Sequence, residues 1–189
     1  MKSNICYLSR ITSSILIWCL VILLSPFAAL AETDTEQKST SGFSWGAELG
    51  VGIDMGGDDM STIDLDAYFG YHNSWCKLAG IGGGINMMMS NSCRSFPVYG
   101  ILRTSFTSRP TLCFMDLRVG VGFNEVPGWK TKATFYCRPG IGFNLAAGKS
   151  FQSYLILSYA YNDMTFPGDK KDTLVTGLNL ATISLGVTF

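Results

Sequence analysis

The chain has 189 residues and a formal net charge of zero, and 47% of its residues are hydrophobic while only 15% are charged. This length corresponds to a single domain. The apolar content excludes a disordered chain, and the charge balance provides no basic surface for nucleic acid. The chain has one histidine, which leaves few ligands for a metal site or for acid/base chemistry. Outside the N-terminal region, glycine and polar residues interrupt every apolar segment, which excludes a bundle of membrane helices and favours β-structure.

The N-terminus has the pattern of an export signal. Lys2 and Arg10 form a basic region, an unbroken apolar run occupies residues 15–24, and a small-residue Ala-Leu-Ala motif ends at Ala31. These are the three parts of a secretory signal peptide in their usual order. We therefore predict a signal peptide over residues 1–31, cleaved after Ala31.

The switch in composition after the signal defines the remaining organisation. Residues 32–41 contain no apolar side chain, and we predict that they form a disordered leader before a barrel domain over residues 42–189. Cleavage removes two of the 14 basic residues and no acid, so 12 bases face 14 acids and the mature charge is −2. A retained helical anchor over residues 11–31 is the alternative interpretation.

A period of two dominates the rest of the chain. From Phe43 to Met55 every odd residue is apolar, and every even residue is small, polar or charged, which is typical of a β-strand. The same alternation recurs, in places more weakly, at 63–71, 75–89, 96–106, 113–123, 135–145, 155–161 and 183–189. We therefore predict an all-β chain of eight strands.

The polar face of these strands indicates which side meets water and which meets lipid. It carries a glycine repeat at 118–124 (Arg, Gly, Gly and Asn at alternate positions), again at 138–144, and a related Gly-Gly-Gly-Asn series at 80–86. Glycine weakens a water-exposed strand, but inside a narrow barrel it leaves room for large side chains from the opposite wall. We therefore predict an eight-stranded antiparallel up-and-down transmembrane β-barrel with its apolar face toward lipid.

Connections and aromatic residues predict the orientation. Short turns are expected near 73–74, 108–111 and 147–150, and longer loops at 56–62, 90–95, 125–132 and 163–172. Outer-membrane barrels have short periplasmic turns and long external loops, so both chain ends are predicted to be periplasmic. Lipid-facing aromatics form two girdles: Phe43, Tyr71, Trp75, Phe106, Phe143, Phe151 and Phe189 at the periplasmic ends, and Phe96, Phe123, Phe135 and Tyr161 at the external ends.

These features together resemble the small outer-membrane β-barrel family of the outer-membrane protein A and X type, over residues 43–189. The resemblance implies the outer membrane of a Gram-negative bacterium as the location and outer-membrane lipid as the surroundings. It also implies that the barrel-assembly machinery reads an assembly signal at the C-terminus. That signal corresponds here to Ile183, Leu185, Val187 and Phe189.

The chemistry of the residues favours a scaffold over an enzyme. The only histidine, His72, lies beside a predicted periplasmic turn, away from outer-leaflet lipid, and no catalytic, cofactor or metal residues are predicted. Eight strands leave a lumen that side chains fill, so conductance should be negligible. We predict a structural or surface-interaction barrel whose external loops meet an extracellular partner. A lipid-modifying barrel enzyme or a narrow transport barrel is the alternative.

Inward-facing charges are predicted to fill the lumen. The cluster comprises Glu48, Asp66, Arg103, Asp116, Arg118 and Arg138, all at a similar height above the predicted periplasmic turns. The turn at 108–111 sets Arg103 opposite Asp116, so these two should pair across neighbouring strands. Buried charges must be paired, so Arg118 and Arg138 are expected to reach Glu48 and Asp66 across the lumen.

Four cysteines remain after the signal: Cys76, Cys93, Cys113 and Cys137. Cys113 and Cys137 are predicted at different heights on neighbouring strands, and Cys76 and Cys93 at opposite ends of one hairpin, so neither pair is within disulfide distance. We expect free thiols.

Overall fold

The computed structural model describes residues 41–57, 60–73, 76–89, 92–105, 112–128, 130–148, 150–167 and 174–189. These residues belong to one compact unit that spans residues 38–189. The predicted signal peptide lies outside the described residues, and so does the predicted leader except for its last residue. No helix in the described part of the chain is long and apolar enough to cross a bilayer.

Eight strands form a closed barrel in chain order, and every neighbouring pair is antiparallel. The strands are β1 (Gly42–Asp54), β2 (Thr62–His72), β3 (Leu78–Met88), β4 (Arg94–Ser105), β5 (Cys113–Glu125), β6 (Lys132–Ala147), β7 (Gln152–Pro167) and β8 (Leu174–Thr188). The barrel closes where β1 pairs with β8, with Leu49 opposite Leu185. This confirms the predicted fold class. We call the end that carries Gly42 and Thr188 the terminal end, and the other the distal end.

The lengths of the connections differ from the sequence prediction. Strand β7 continues to Pro167 and β8 begins at Leu174, so residues 163–167 of the predicted loop at 163–172 are strand, and the rest of that loop lies outside the described residues. An irregularity between Asn162 and Thr165 allows this extension, because a bulge absorbs residues without ending the pairing. At the terminal end the connection 106–112 is as long as the distal connection 55–61. By these strand bounds, the connections at the terminal end are not consistently shorter than those at the distal end.

The two faces of the wall have opposite chemistry, as the alternation predicts. Phe43 is 71% exposed and Ile81 is 69% exposed on the outside, whereas the inward Asp116 and Arg118 are fully buried. The exposed face is a continuous apolar belt, which a water-soluble barrel would place inside. Lipid is therefore the environment that this surface fits.

Aromatic side chains gather at the terminal rim of the belt. The ring of Phe43 stacks on Phe69 at 5.4 Å and meets Tyr71 edge-on at 5.5 Å. Trp45 stacks on Phe189 at 4.7 Å, across the seam where the barrel closes. At the distal rim Phe135 and Tyr161 lie 6.4 Å apart. Trp75 and Phe106, assigned to the terminal girdle from the sequence, lie outside the described residues.

Inward glycines make room for rings from adjacent strands. A Cβ atom at Gly142 would lie 2.1 Å from the ring of Phe114, and one at Gly186 would lie 2.4 Å from the ring of Tyr154. Any larger residue at these two positions would displace an aromatic side chain that fills the lumen. The glycine repeat is thus the complement of the large side chains around it.

Candidate functional site

The six charged residues predicted to fill the lumen lie inside the barrel, and each is at most 4% exposed. They come from five strands: Glu48 on β1, Asp66 on β2, Arg103 on β4, Asp116 and Arg118 on β5, and Arg138 on β6. Alternation places all six side chains on the inner face. We call this set the ion-pair cluster.

One half of the ion-pair cluster forms around Asp116. Arg103 Nε lies 2.7 Å from Asp116 Oδ2, and the two residues are opposite each other in the β4–β5 register. Arg118 Nε lies 2.8 Å from the other oxygen of the same carboxylate. Both arginines also reach across the lumen to Glu48, Arg118 through an Nη2 contact of 2.5 Å. Each of these carboxylates is therefore shared by two guanidinium groups.

The other half forms around Asp66. Arg138 Nη1 lies 3.0 Å from Asp66 Oδ2, and Arg118 Nη1 lies 3.5 Å from the same oxygen. Arg118 thus contacts all three carboxylates and joins the two halves into one network. Such shared pairing offsets the large desolvation cost of burying the charges.

Tyrosines complete the network, and the sequence analysis did not single them out. Tyr99 donates a hydrogen bond of 2.9 Å to Asp66, and Tyr154 donates one of 2.8 Å to Glu48. Arg103 donates to the hydroxyl of Tyr68 at 2.9 Å and lies over its ring at 4.5 Å. All three tyrosines occupy inward positions of their strands, so the parity of the alternation was a signal that could have identified them.

A neutral polar layer lies on the distal side of the ion-pair cluster. Asn162 donates hydrogen bonds to Ser95 at 2.9 Å and to Asn124 at 3.0 Å, and Asn124 in turn donates to Thr134 at 2.6 Å. These contacts tie β4, β5, β6 and β7 together across the inner wall.

The distal mouth of the lumen is apolar, which the sequence analysis did not anticipate. Its buried cluster contains Met60, Met88, Cys93, Val126, Ala160, Met164, Leu178 and Leu180. Three of them, Met60, Cys93 and Val126, lie in connections between strands, where the period of two no longer applies. We call this set the distal cap.

The terminal mouth contains a small cavity of about 30 Å³, which is large enough for at least one water molecule. It lies among Lys77, Leu78, Arg103, Phe114, Asn144, Gln152, Tyr154 and Thr188. Burial lowers the pKa of the Lys77 ammonium, whose Nζ lies 5.3 Å from the centre of the Phe114 ring. Its position beside an aromatic face partly compensates for the lost water.

His72 is at the terminal end, as the sequence predicts, and it contacts a serine. Its Nδ1 atom lies 2.8 Å from the hydroxyl of Ser44 on the neighbouring strand β1. Trp45, the residue after that serine, donates its backbone N–H to the carbonyl of Phe189 at 3.2 Å. That donor is thus already engaged by the C-terminal strand.

The barrel domain contains four free thiols, those of Cys76, Cys93, Cys113 and Cys137. Cys113 pairs in register with Phe143, six positions along β6 from Cys137, which at about 3.3 Å per residue is far beyond disulfide reach. Burial raises the pKa of the Cys93 thiol.

Within the described residues, no three His, Cys, Asp or Glu side chains are grouped to hold a metal ion.

Comparisons with known proteins identify the fold. No family model matches the chain, and no curated protein matches it. Among solved structures, Neisserial surface protein A (NspA) matches with a TM-score of 0.54 and 12% identity, covering 79% of this chain and 97% of that one. A de novo designed transmembrane β-barrel matches with a TM-score of 0.45 and 14% identity, over 82% and 98% of the two chains. Ail, the attachment invasion locus protein of Yersinia pestis, matches with a TM-score of 0.42 and 16% identity, over 81% and 100%.

At these sequence identities the similarity concerns the fold alone, and it rests on NspA, which has a TM-score of 0.54. This chain has the fold of the small eight-stranded outer-membrane β-barrels, which confirms the resemblance inferred from its sequence.

Proposed function

We propose that this protein is a structural or surface-interaction barrel of a Gram-negative outer membrane, with a plugged interior that conducts no ions. One observation carries the proposal: side chains occupy the lumen at successive heights. The ion-pair cluster spans the inner wall from β1 to β6, and the distal cap lies beyond it. A function that needs a path through the barrel has no room in such an interior. The functional surface is then the outside of the barrel and the connections at its distal end.

The proposed plug predicts the electrical behaviour of the purified barrel. Reconstituted into planar lipid bilayers, the full mature protein should show no stepwise conductance, whereas a porin of about 16 strands, used as a positive control, opens large channels. Insertion is verified by the protease resistance of the barrel in lipid vesicles of the same composition. Reproducible single-channel steps from the inserted barrel would contradict the plug and favour the narrow transport barrel.

The proposed surface role is tested separately in cells. A deletion strain should lose adhesion to host or abiotic surfaces while its envelope permeability to a hydrophilic dye stays unchanged. Complementation uses the wild-type gene and, as a matched variant, a gene in which residues 127–131 are replaced by a Gly-Ser loop of equal length, so that Val126 of the distal cap is kept. The wild type should restore adhesion. The loop variant should assemble normally but restore less adhesion, and a change in permeability alone would contradict the role.

We propose no catalytic role for the pair formed by Ser44 and His72. A serine nucleophile needs N–H donors to stabilise the oxyanion, and the N–H of the next residue is the usual one. In this chain that donor, on Trp45, is bonded to the carbonyl of Phe189. The pair also lies at the end that we assign to the periplasm, away from outer-leaflet lipid. These two features support a scaffold over a lipid-modifying enzyme.

We also propose that residues 1–31 direct export and are cleaved after Ala31, and that Ile183, Leu185, Val187 and Phe189 form the assembly signal. Exposure of Ile183 and Phe189 on the lipid face supports the signal, because the assembly machinery would meet this face of β8. Phe189 also exchanges two backbone hydrogen bonds with Trp45, of 2.8 and 3.2 Å, at the closing seam.

Replacing Phe189 by Asp should sharply reduce the amount of folded barrel in the outer membrane. The change removes the aromatic contact with Trp45 and places a charge at the lipid face, where charged residues are unfavourable. The measurement is the heat-modifiable, protease-resistant band in outer-membrane fractions. Phe189→Tyr, which keeps an aromatic ring suited to the interface, is the matched control and should assemble at the wild-type level. Wild-type assembly of the Asp variant would contradict the proposed signal.

A further inference from the structure

The buried charges of the barrel do not balance. In the described residues, the buried charged side chains are the six of the ion-pair cluster and Asp64. Three arginines therefore face four carboxyl groups, so these buried side chains carry one excess negative charge when all four are ionised. Asp64 is the member without an ion pair among the described residues.

Unpartnered polar atoms surround that excess charge. Both carboxylate oxygens of Asp64 are buried without a hydrogen-bond partner in the described structure, and so are Thr62 Oγ1, Asn86 Oδ1 and the hydroxyl of Tyr136. The residues that carry them are at most 4% exposed. Natural proteins rarely leave such groups unsatisfied, and several in one region indicate an occupant that supplies positive charge or hydrogen bonds.

The register places three of these residues next to one another. Asp64 lies directly opposite Asn86 in the pairing of β2 with β3, and Thr62 is the next inward residue of β2 toward the distal end. On the other side Asp64 faces Gly50 of β1, where the hydroxyl of Ser184 occupies the space that a larger residue would need. Tyr136 points inward from β6, and Asp64 is among the charged groups that act on it, after Arg138, Asp66 and Arg118. These residues lie between the ion-pair cluster, to which Asp66 belongs, and the distal cap, to which Met60 belongs.

We propose that Thr62, Asp64, Asn86 and Tyr136 bind one monovalent cation of the Na⁺ type inside the lumen. Every available atom is an oxygen, and oxygen ligands select hard cations over the metals that prefer nitrogen or sulfur. A single uncompensated carboxylate matches a charge of +1, whereas a divalent ion would leave a buried excess of positive charge. The distal cap on one side and the ion-pair cluster on the other shield the ion from water.

The first measurement is the stability of the wild-type barrel in two salts. The mature protein is refolded in zwitterionic detergent at constant pH and ionic strength, with sodium chloride replaced stepwise by choline chloride, a cation too large for the site. The unfolding temperature should rise with the Na⁺ concentration and continue to rise logarithmically above the dissociation constant, as for any ligand that binds only the folded state. The ²³Na resonance should broaden in the presence of the folded barrel and sharpen after unfolding.

Two variants locate the site. Asp64→Asn keeps the shape of the side chain and removes the excess charge, so it should fold without sodium and lose both the salt dependence and the ²³Na broadening. Thr62→Val removes one oxygen and should shift the Na⁺ midpoint at least several-fold higher. Glu125→Gln, an acid exposed at the distal end of β5, is the matched control and should behave as the wild type.

Coincident unfolding curves in sodium and choline, with no ²³Na broadening in the wild type, would overturn the proposal. If stability then varies with pH in the wild type but not in Asp64→Asn, a proton on Asp64 is the occupant in place of a cation. An unchanged Na⁺ dependence in Asp64→Asn would also overturn it, because the ion would then bind elsewhere. The wild-type comparison decides the matter even if a variant fails to fold.

Discussion

Replacing Arg103 by Met should destabilise the barrel by about 3 to 5 kcal/mol, because two buried carboxylates, those of Glu48 and Asp116, each lose one of their two guanidinium partners. Asp116→Leu should have an effect of the same order, since Asp116 holds both Arg103 and Arg118. The double variant should lose much less stability than the sum of the losses in the two single variants. Its remaining charges, two arginines with Glu48 and Asp66, keep the balance of the wild-type cluster.

The four proteins are compared by urea unfolding in lipid vesicles, with the free energy of unfolding as the measured quantity. Lys132→Met, an exposed charge at the distal end of β6, is the control and should change stability by no more than about 0.5 kcal/mol. Simple additivity of the two single effects would contradict direct coupling between Arg103 and Asp116. A single variant as stable as the control would show that water reaches the lumen at this height.

Replacing Gly80 by Ala should destabilise the barrel by about 1 to 3 kcal/mol, because the new methyl group meets backbone that cannot rotate away. A Cβ atom at this position would lie 2.1 Å from the carbonyl oxygen of Phe69 and 2.5 Å from the Cα of Gly70. Gly70 and Gly80 face each other in the register of β2 and β3, so two strands come together there without side chains. The measurement is again the free energy of unfolding in vesicles.

Gly100→Ala is the matched control on the neighbouring strand. A Cβ atom there would lie 3.8 Å from its nearest neighbour and would face outward. The variant should be neutral or more stable by about 0.5 to 1 kcal/mol, since alanine loses less backbone freedom on folding than glycine. Equal effects at the two positions would show that the close contact of β2 and β3 does not require a glycine at position 80.

The local alternation of apolar and polar side chains explains why the architecture could be predicted from the sequence. In residues 43–55 each position alternates between lipid and lumen, so the side-chain chemistry itself records the two faces. The glycine repeat then decides which face is inside, because only a narrow lumen requires small residues opposite large ones. The pairing of Arg103 with Asp116 follows from the same local rule, since one predicted turn position fixes the register of a single hairpin.

Contacts across the lumen follow no such rule. The link from Arg118 to Glu48 joins β5 to β1, and its geometry depends on the curvature and stagger of the closed barrel. The hydrogen bond from Tyr154 to Glu48 and the isolation of Asp64 depend on the same closure. The distal cap depends on where Met60, Cys93 and Val126 of the connections turn back over the lumen, outside any period of two.

The sequence by itself therefore determined the number of strands, the two faces of the wall, the register of the β4–β5 hairpin and the residues that point inward. These properties depend on neighbours along the chain or across one turn. The tertiary structure alone decided which inward charges meet, which one lacks an ion pair, and how the distal mouth is covered. Those outcomes depend on distances between strands far apart in the chain, which are set only when β1 pairs with β8 and the barrel closes.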